Sequence, residues 1–228
     1  MFKKEVCVKR LVLIHTVAPL IDVFNKLGRE MLPGVKLTHV LDEPLLEQAR
    51  SHGTIAFGEP DGKTRLTEHL SAAEEIGADA VLVTCSTISP YLDEVSVEIP
   101  VVKIDEAMIE QAVERAGRIL VLATNPATLD PTRQALERQA ARAGKPVAVL
   151  AQLVEHAFDA MLSGDTAAHD RLVQAAVRGA PKEIDLIVLA QASMARILET
   201  LPETDRKVPV LTSPHTALAR IKEILDGG

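Results

Sequence analysis

The sequence predicts an α/β fold of two pseudo-symmetric αβα lobes, each with a mostly parallel sheet, and a ligand cleft between them. Short apolar segments alternate with segments of helical period along the whole chain, which is typical of parallel sheets covered by helices. The same order of elements also occurs twice. The distance along the chain from Arg10 to Cys85 is within one residue of that from Arg118 to Ala192.

The first copy contains four apolar segments that we interpret as strands, separated by amphipathic or capped segments that we interpret as helices. The predicted strands cover 10–14, 35–41, 81–83 and 100–104. The predicted helices cover 17–31, 45–50, a segment with Leu66, Leu70, Ala73 and Ile76 on one face, and a segment capped by Asp105. Glycines and a proline at 53–62 predict a loop, either a lid over the cleft or a passive surface loop.

The second copy repeats this order. The predicted strands cover 118–123, 147–150, 185–190 and 208–211. The predicted helices are one opened by Asp130 and Pro131 and ended by Gly144, one around 172–178, and one opened by Ser213 and Pro214. We expect residues 1–103 with 211–228 to form the first lobe and residues 104–210 the second.

Composition excludes several classes of function. The formal net charge is -7 and only 2% of residues are aromatic, which argues against a nucleic-acid partner. No apolar run reaches the roughly 18 residues that span a bilayer, so no membrane partner is expected. The two cysteines, Cys7 and Cys85, are interpreted as reduced, and the protein as cytoplasmic. The histidine spacing does not predict a metal site.

Cys85 ends the buried segment 81–84 and is followed by residues that favour a helix start, namely Ser86, Thr87 and Pro90. A thiol at the end of a strand and beside a helix N-terminus is expected to have a lowered pKa and to react as thiolate. The alternative is a buried structural thiol, which is the interpretation we prefer for Cys7.

Polar residues follow the predicted strands of both copies. Removing a proton or carbon dioxide beside a carboxylate leaves an enediolate, whose charge requires hydrogen-bond donors already in place. Candidate substrate-binding donors are Ser86, Thr87, Thr124, Asn125 and Ser193. Ordinary turn formation or helix capping is the alternative for each of them.

The segments Thr84-Cys85-Ser86-Thr87, Leu153-Val154-Glu155 and Ala192-Ser193-Met194 resemble motifs of the aspartate/glutamate racemase superfamily. The resemblance covers most of the chain. It implies two lobes, no cofactor, a small carboxylic acid as substrate, and commonly a homo-oligomer. Racemases of that superfamily place one cysteine on each face of the substrate carbon, whereas this chain has Ala192 at the second position. Its malonate decarboxylases keep a single cysteine, but in the second half.

The same resemblance indicates further candidate site residues. His15 and Thr16 stand where glutamate racemases have an acid and a serine, so His15 would orient substrate or shuttle protons, or merely bond a loop. Glu155 matches the family's acidic position, with a solvent-exposed helix start as the alternative. His156 is a candidate for the acid that Ala192 cannot be. Asp42 is interpreted as a turn residue.

Three functional hypotheses follow. The first is a cofactor-independent enzyme that transfers a proton on one side of the carbon next to a carboxylate, as a racemase, isomerase or decarboxylase, with Cys85, Glu155 and His156 as catalytic candidates. The second is a hydrolase or carboxyl-transferring enzyme in which Cys85 is the nucleophile. The third is a non-catalytic binder of small acids.

Overall fold

A computed structural model describes residues 8–48 and 60–227 of the chain. Within that part, the eight strands form two parallel four-stranded sheets. The first sheet has the order β2-β1-β3-β4 and the second the order β6-β5-β7-β8. The strands are β1 (Arg10–His15), β2 (Lys36–Leu41), β3 (Ala80–Val83), β4 (Val101–Lys103), β5 (Arg118–Ala123), β6 (Ala148–Leu153), β7 (Leu186–Leu189) and β8 (Val210–Thr212).

Helices follow the strands and cover both faces of each sheet. They are α1 (Pro19–Met31), α2 (described over 43–48), α3 (Pro60–Glu75), α4 (Glu106–Arg115), α5 (Pro126–Arg142), α6 (Ala157–Leu162), α7 (Thr166–Arg178), α8 (Ile197–Thr200) and α9 (Ser213–Gly227). Short 3-10 helices cover Ser89–Glu94, Ala192–Met194 and Glu203–Asp205. The predicted α/β class with two lobes is therefore confirmed. Among the helices described, none has the length and hydrophobicity needed to cross a bilayer.

Each sheet is covered partly by a helix from the other half of the chain. Helix α9 follows β8 of the second sheet, yet Leu218 and Ile221 lie in the core of the first sheet with Leu11. Helix α4 follows β4 of the first sheet, yet Met108 lies in the core of the second sheet with Val121. The two halves therefore exchange one helix each.

Some boundaries differ from the sequence prediction, and capping side chains explain two of them. Helix α5 begins at Pro126 and carries Pro131 inside it, because Asn125 accepts a hydrogen bond from the Ala127 amide at 3.1 Å and caps the helix there. Helix α7 begins at Thr166, where Asp165 caps the Ala168 amide at 2.8 Å. The short helix α6 was expected only as the alternative interpretation of Glu155, because its six residues are too few for a helical period to emerge.

The predicted loop at 53–62 is only partly described. Residues 60–62 form the first turn of α3 rather than loop, and residues 53–59 lie outside the described part of the chain. The prediction for Cys7 and the predicted helix end at 49–50 also fall outside it.

In each sheet, an aspartate just before the third strand along the chain accepts hydrogen bonds from backbone amides at the start of the first strand. The Asp79 carboxylate accepts from the Arg10 amide at 2.7 Å. The Asp185 carboxylate accepts from the amides of Gly117 and Arg118 at 3.1 and 2.8 Å. Each aspartate thereby fixes the register between two neighbouring strands where they begin.

Replacing Asp185 by alanine should therefore lower the free energy of unfolding by about 1 kcal/mol, since two backbone donors lose a charged acceptor at an exposed site. Urea denaturation checks this, with Glu183→Ala as the matched control, because the exposed Glu183 side chain has no partner among the described residues. Equal losses in both variants would contradict the assignment.

Candidate functional site

Cys85 lies directly beyond the carboxyl end of β3, in a small cavity of about 50 Å³ between the two lobes. Parallel sheets bind ligands at this edge. The first lobe contributes the wall Thr16, Val17, Leu20, Leu46, Thr84, Cys85, Ser86 and Thr87. The second lobe contributes Asn125, Thr128, Phe158, Met161, Gln191, Ala192 and Ser193. Cys85 and Ala192 therefore line one cavity, as the duplicated sequence predicts.

The Cys85 thiol is surrounded by donors but is almost fully buried. The side chains of Thr16 and Thr87 and the backbone amides of Thr87 and Ile88 hydrogen-bond to it. Desolvation outweighs these bonds, so burial raises the pKa of the thiol above its ordinary value. The expectation of a lowered pKa is therefore wrong.

The helix after Cys85 also differs from the expected one. The chain makes a turn over 86–88 and continues into the short 3-10 helix Ser89–Glu94, not an α-helix. The Cys85 carbonyl accepts bonds from the amide and hydroxyl of Ser89, both at 3.2 Å. One short 3-10 helix provides little of the aligned dipole that an α-helix would direct at the thiol.

Two of the predicted donors connect the lobes to each other. The Ser86 hydroxyl donates to the carbonyl of Ala190 at 3.1 Å. The hydroxyls of Thr87 and Thr128 lie 3.0 Å apart. These bonds hold the turn after Cys85 against the second lobe, and they use the Ser86 hydrogen that we expected to be available for a substrate.

On the second lobe, Gln191 and Asn125 direct amide groups to the cavity. The Gln191 Oε1 accepts from the amide and hydroxyl of Thr124 at 2.6 and 3.0 Å, and the Asn125 Oδ1 caps α5. Since both oxygens are engaged, the NH₂ groups are the parts of these side chains left for a ligand. Thr124 itself supports Gln191 and does not line the cavity.

Gln191, Phe158 and Met161 line the cavity but were not predicted as site residues from the sequence. The repeat contained a signal for Gln191, because the register that aligns Ala192 with Cys85 also aligns Gln191 with Thr84. Phe158 and Met161 lie on α6. No signal in the sequence indicated them, since a helix of six residues is too short to show which face points inward.

Glu155 and His156 are not brought to the cavity. Both side chains are exposed, at the start of α6, where His156 has a positive φ of 63°. Of the described residues that line the cavity, Cys85 alone has an ionisable side chain. No residue of the described part opposite the thiol can therefore take or give a proton by ionising.

His15 is fully buried behind the cavity, where it joins a chain of hydrogen-bonding groups. Its Nδ1 lies 2.8 Å from the Thr84 hydroxyl, which also contacts the carbonyl of Ile14 at 3.0 Å. Its Nε2 lies 2.9 Å from Nδ1 of His39, whose Nε2 lies 3.1 Å from Oδ1 of Asn25. Burial, followed by the nearby His39, lowers the pKa of His15 to about 4.

The hydrogen-bonding groups around His15 influence the site indirectly, through the residues next to them in the sequence. His15 immediately precedes Thr16, which bonds the thiol, and Thr84 immediately precedes Cys85. His15 does not line the cavity. It is placed to hold the ends of β1 and β3 in register rather than to contact a substrate.

Asp42 is more than the turn residue that we expected. It is buried at the end of β2 and bonds Arg65 and His69 of α3 at 2.6 and 2.8 Å. Burial alone would raise its pKa, but the hydrogen bonds from His69 and Arg65 lower it below the ordinary value. Asp42 therefore anchors α3 to the first sheet. In residues 8–48 and 60–227, no three His, Cys, Asp or Glu side chains are grouped to hold a metal ion.

Comparison with known proteins adds a family and a fold. The family model described as Asp/Glu/Hydantoin racemase matches residues 32–221. No curated protein matches the sequence. Among solved structures, an aspartate racemase of Picrophilus torridus is similar with a TM-score of 0.74 at 15% identity, over 95% of this chain and 94% of that one.

Two further solved structures have similar folds. An allantoin racemase from Klebsiella pneumoniae has a TM-score of 0.72 at 20% identity, over 96% of this chain and 89% of that one. A glutamate racemase from Francisella tularensis in complex with D-glutamate has a TM-score of 0.72 at 15% identity, over 96% and 81%. At these identities the structures show a shared fold alone.

The buried thiol predicts slow alkylation. In a Cys7→Ser background, iodoacetamide should modify Cys85 more slowly than a free thiol at pH 7, and the rate should rise with pH to a midpoint above about 8.5, the ordinary thiol value. The unfolded chain in urea is the reference. A midpoint below that of the unfolded chain would contradict the role of burial.

Burial predicts that the His15 ring stays neutral well below the ordinary pKa of histidine. Nitrogen-15 NMR should show a neutral ring from pH 8 down to about pH 5, because desolvation and the nearby His39 lower the pKa of His15 to about 4. A His15 ring that takes up a second proton with a midpoint near 6.5, the ordinary value, would contradict the role of burial.

Proposed function

Because the chain belongs to the Asp/Glu/Hydantoin racemase family, we propose that it catalyses cofactor-independent proton transfer at the carbon next to the carboxylate of a small acid, with Cys85 acting from one side. The observation that supports this most directly is the asymmetry of the cavity. Cys85 is its only ionisable lining residue in the described part, and the duplicated position holds Ala192.

The protonation state of Cys85 favours giving a proton over taking one. Since burial raises the pKa of the thiol, its resting form near neutral pH is S–H, which is an acid and a poor nucleophile. When a carboxylate leaves as carbon dioxide, an enediolate forms without a base to remove a proton. A single acid on one face of the substrate is then enough to complete the reaction. This reasoning favours decarboxylation of an acid that carries two carboxylates on one carbon.

In that reaction the C–C bond to the departing carboxylate breaks, and its electron pair delocalises into the remaining carboxylate as an enediolate. The Cys85 S–H bond then breaks as a C–H bond forms, which leaves a thiolate. Donors from Thr16 and Thr87 and the amides of Thr87 and Ile88 stabilise the thiolate until water returns its proton.

Neutral donors are available for the carboxylate that remains. The NH₂ groups of Asn125 and Gln191 and the hydroxyl of Ser193 belong to the second-lobe wall. Placed before the reaction, they would stabilise the negative charge as it moves onto the carboxylate oxygens. The apolar side chains of Phe158 and Met161 would cover the substrate and exclude water.

The similar solved structures are named as racemases of aspartate, glutamate and allantoin, and those compounds are natural candidates alongside malonates. Racemisation requires a second group that exchanges a proton on the opposite face. Glu155 and His156 are the candidates from the sequence, but both are exposed and neither lines the cavity, which does not support that role.

The proposal is tested by incubating the Cys7→Ser chain in D₂O with 2-substituted malonates, aspartate, glutamate and allantoin, followed by NMR and chiral chromatography. We expect a malonate to lose carbon dioxide and gain one deuterium in a single configuration. Cys85→Ser should reduce the rate by about 10²–10⁴-fold, the usual contribution of a positioned acid.

Turnover that persists in Cys85→Ser would remove Cys85 from the mechanism. Binding of an acid without turnover or exchange would show a non-catalytic binder instead. Exchange of the α-proton of aspartate, glutamate or allantoin with racemisation would show that a second proton carrier reaches the opposite face.

The missing second thiol generates a separate prediction. Ala192→Cys should turn a single-configuration product into a mixture of both, because a proton could then be delivered from either face. Ala192→Ser is the control, since a hydroxyl of nearly the same size is a far weaker acid than a thiol. An unchanged product configuration in Ala192→Cys would show that the two positions do not face the same carbon.

A further inference from the structure

A second and larger cavity of about 160 Å³ lies on the other side of the turn after Cys85. Its walls come from both lobes, an arrangement in which ligand sites are common. They are Ser86, Ser89, Asp93 and Lys103 from the first lobe, and Asp105, Glu106, Ile109, Glu110, Pro131, Ala135, Arg138, Gln139 and Arg142 from the connection, α4 and α5. Ser86 lines this cavity and the Cys85 cavity alike.

Once the ion pairs on these walls are set aside, the remaining positive and negative charges lie on different walls. Lys103 is paired with Asp93, and Glu110 is paired with Arg220. Four charged side chains are left, namely Arg138 and Arg142 on α5 and Asp105 and Glu106 at the start of α4. Within residues 8–48 and 60–227, none of these four forms an ion pair with another side chain.

The geometry of the cationic wall suits an anion. Arg138 and Arg142 are four residues apart, so they lie on the same face of α5. Guanidinium groups in such an arrangement bind a carboxylate through paired N–H donors.

The acidic wall contains a buried carboxylate, Asp105, that forms no ion pair with the described residues. Asp105 is only 6% exposed, and burial raises its pKa to about 6, although its own backbone amide, the charge of Lys103 and a bond from Ser89 oppose this. A buried carboxylate of this kind gains stability from a cationic donor. The cavity thus offers two cations to an anion and, opposite them, a buried acid to a cation.

We propose that this cavity is a second ligand site for a small zwitterion, with its carboxylate on Arg138 and Arg142 and its ammonium group on Asp105. The site is distinct from the Cys85 cavity and does not depend on the reaction proposed there. The ligand class is that of free amino acids and ω-amino acids.

The hydroxyl of Ser89 connects this site to the thiol turn. It has one hydrogen but two acceptors, the carbonyl of Cys85 at 3.2 Å and the carboxylate of Asp105. An ammonium group bound to Asp105 satisfies that carboxylate, which leaves the Ser89 hydrogen to the Cys85 carbonyl. Occupancy of the second site therefore tightens the turn that carries the thiol.

Binding is tested by calorimetry with glycine, β-alanine, 4-aminobutanoate and 6-aminohexanoate. These compounds differ in the distance between their ammonium and carboxylate groups, so the preferred length reports the distance between the two walls. We expect one length to bind at least tenfold more tightly than butanoate or butylamine, which each carry one of the two charges. Arg138→Gln/Arg142→Gln and Asp105→Asn should each weaken that binding at least tenfold.

Arg133→Gln is the matched control. Arg133 lies on the same helix but pairs with Asp130 and Glu137 and does not line the cavity, so binding should be unchanged. Binding that survives in the double arginine variant, or that is no tighter for any zwitterion than for butanoate, overturns the site.

The connection to the thiol is tested by alkylation of Cys85 with iodoacetamide in the Cys7→Ser chain. The best-binding ω-amino acid at saturation should change the rate at least threefold, and Ser89→Ala should lose this change in rate at ligand concentrations that calorimetry shows to saturate that variant. A rate unaffected by saturating ligand overturns the connection through Ser89. These readouts require no turnover, so they fail or succeed independently of the proposed reaction.

Discussion

Two hydrogen bonds across the lobe boundary, from Ser86 to the carbonyl of Ala190 and between Thr87 and Thr128, hold the cysteine turn in place. Each connects the carboxyl edge of the first sheet to the second lobe. Because of them, the thiol is enclosed by both lobes rather than exposed in an open cleft. The chemistry available to Cys85 follows from that enclosure.

Enclosure by the two lobes has two opposing effects on the pKa of the Cys85 thiol. Hydrogen bonds from Thr16, Thr87 and two backbone amides stabilise the thiolate, whereas loss of solvent destabilises it. Full burial can shift a pKa by several units, and here it outweighs the four bonds. The protein therefore keeps its cysteine as an acid while retaining the donors that stabilise the thiolate after a proton is given away.

Much of the fold could be predicted because its signals are local and repeated. The buried strands are short apolar runs, and the duplicated spacing places Cys85 and Ala192 at equivalent edges. The strands expected at 10–14 and 118–123 lie at the centre of each sheet, in β1 and β5. The adjoining donors Thr16, Asn125 and Ser193 line the cavity as a result.

What could not be predicted depends on contacts between distant residues. The direction of the pKa change of Cys85 depends on how completely two lobes enclose it, and on a 3-10 helix where an α-helix was expected. Asp42 resembles any turn residue until α3 brings Arg65 and His69 to it. Glu155 matches a family position by sequence, yet the backbone at the start of α6 turns it to solvent.

The exchange of α4 and α9 between the halves has a consequence for how the chain is made. Leu218 and Ile221 of α9 belong to the core around Leu11, although more than two hundred residues of synthesis separate the two ends. Helix α9 follows all eight described strands, so until it is synthesised the apolar face that it covers is packed by α1 alone among the described helices. The first lobe therefore cannot complete its core before the strands of the second lobe have been made.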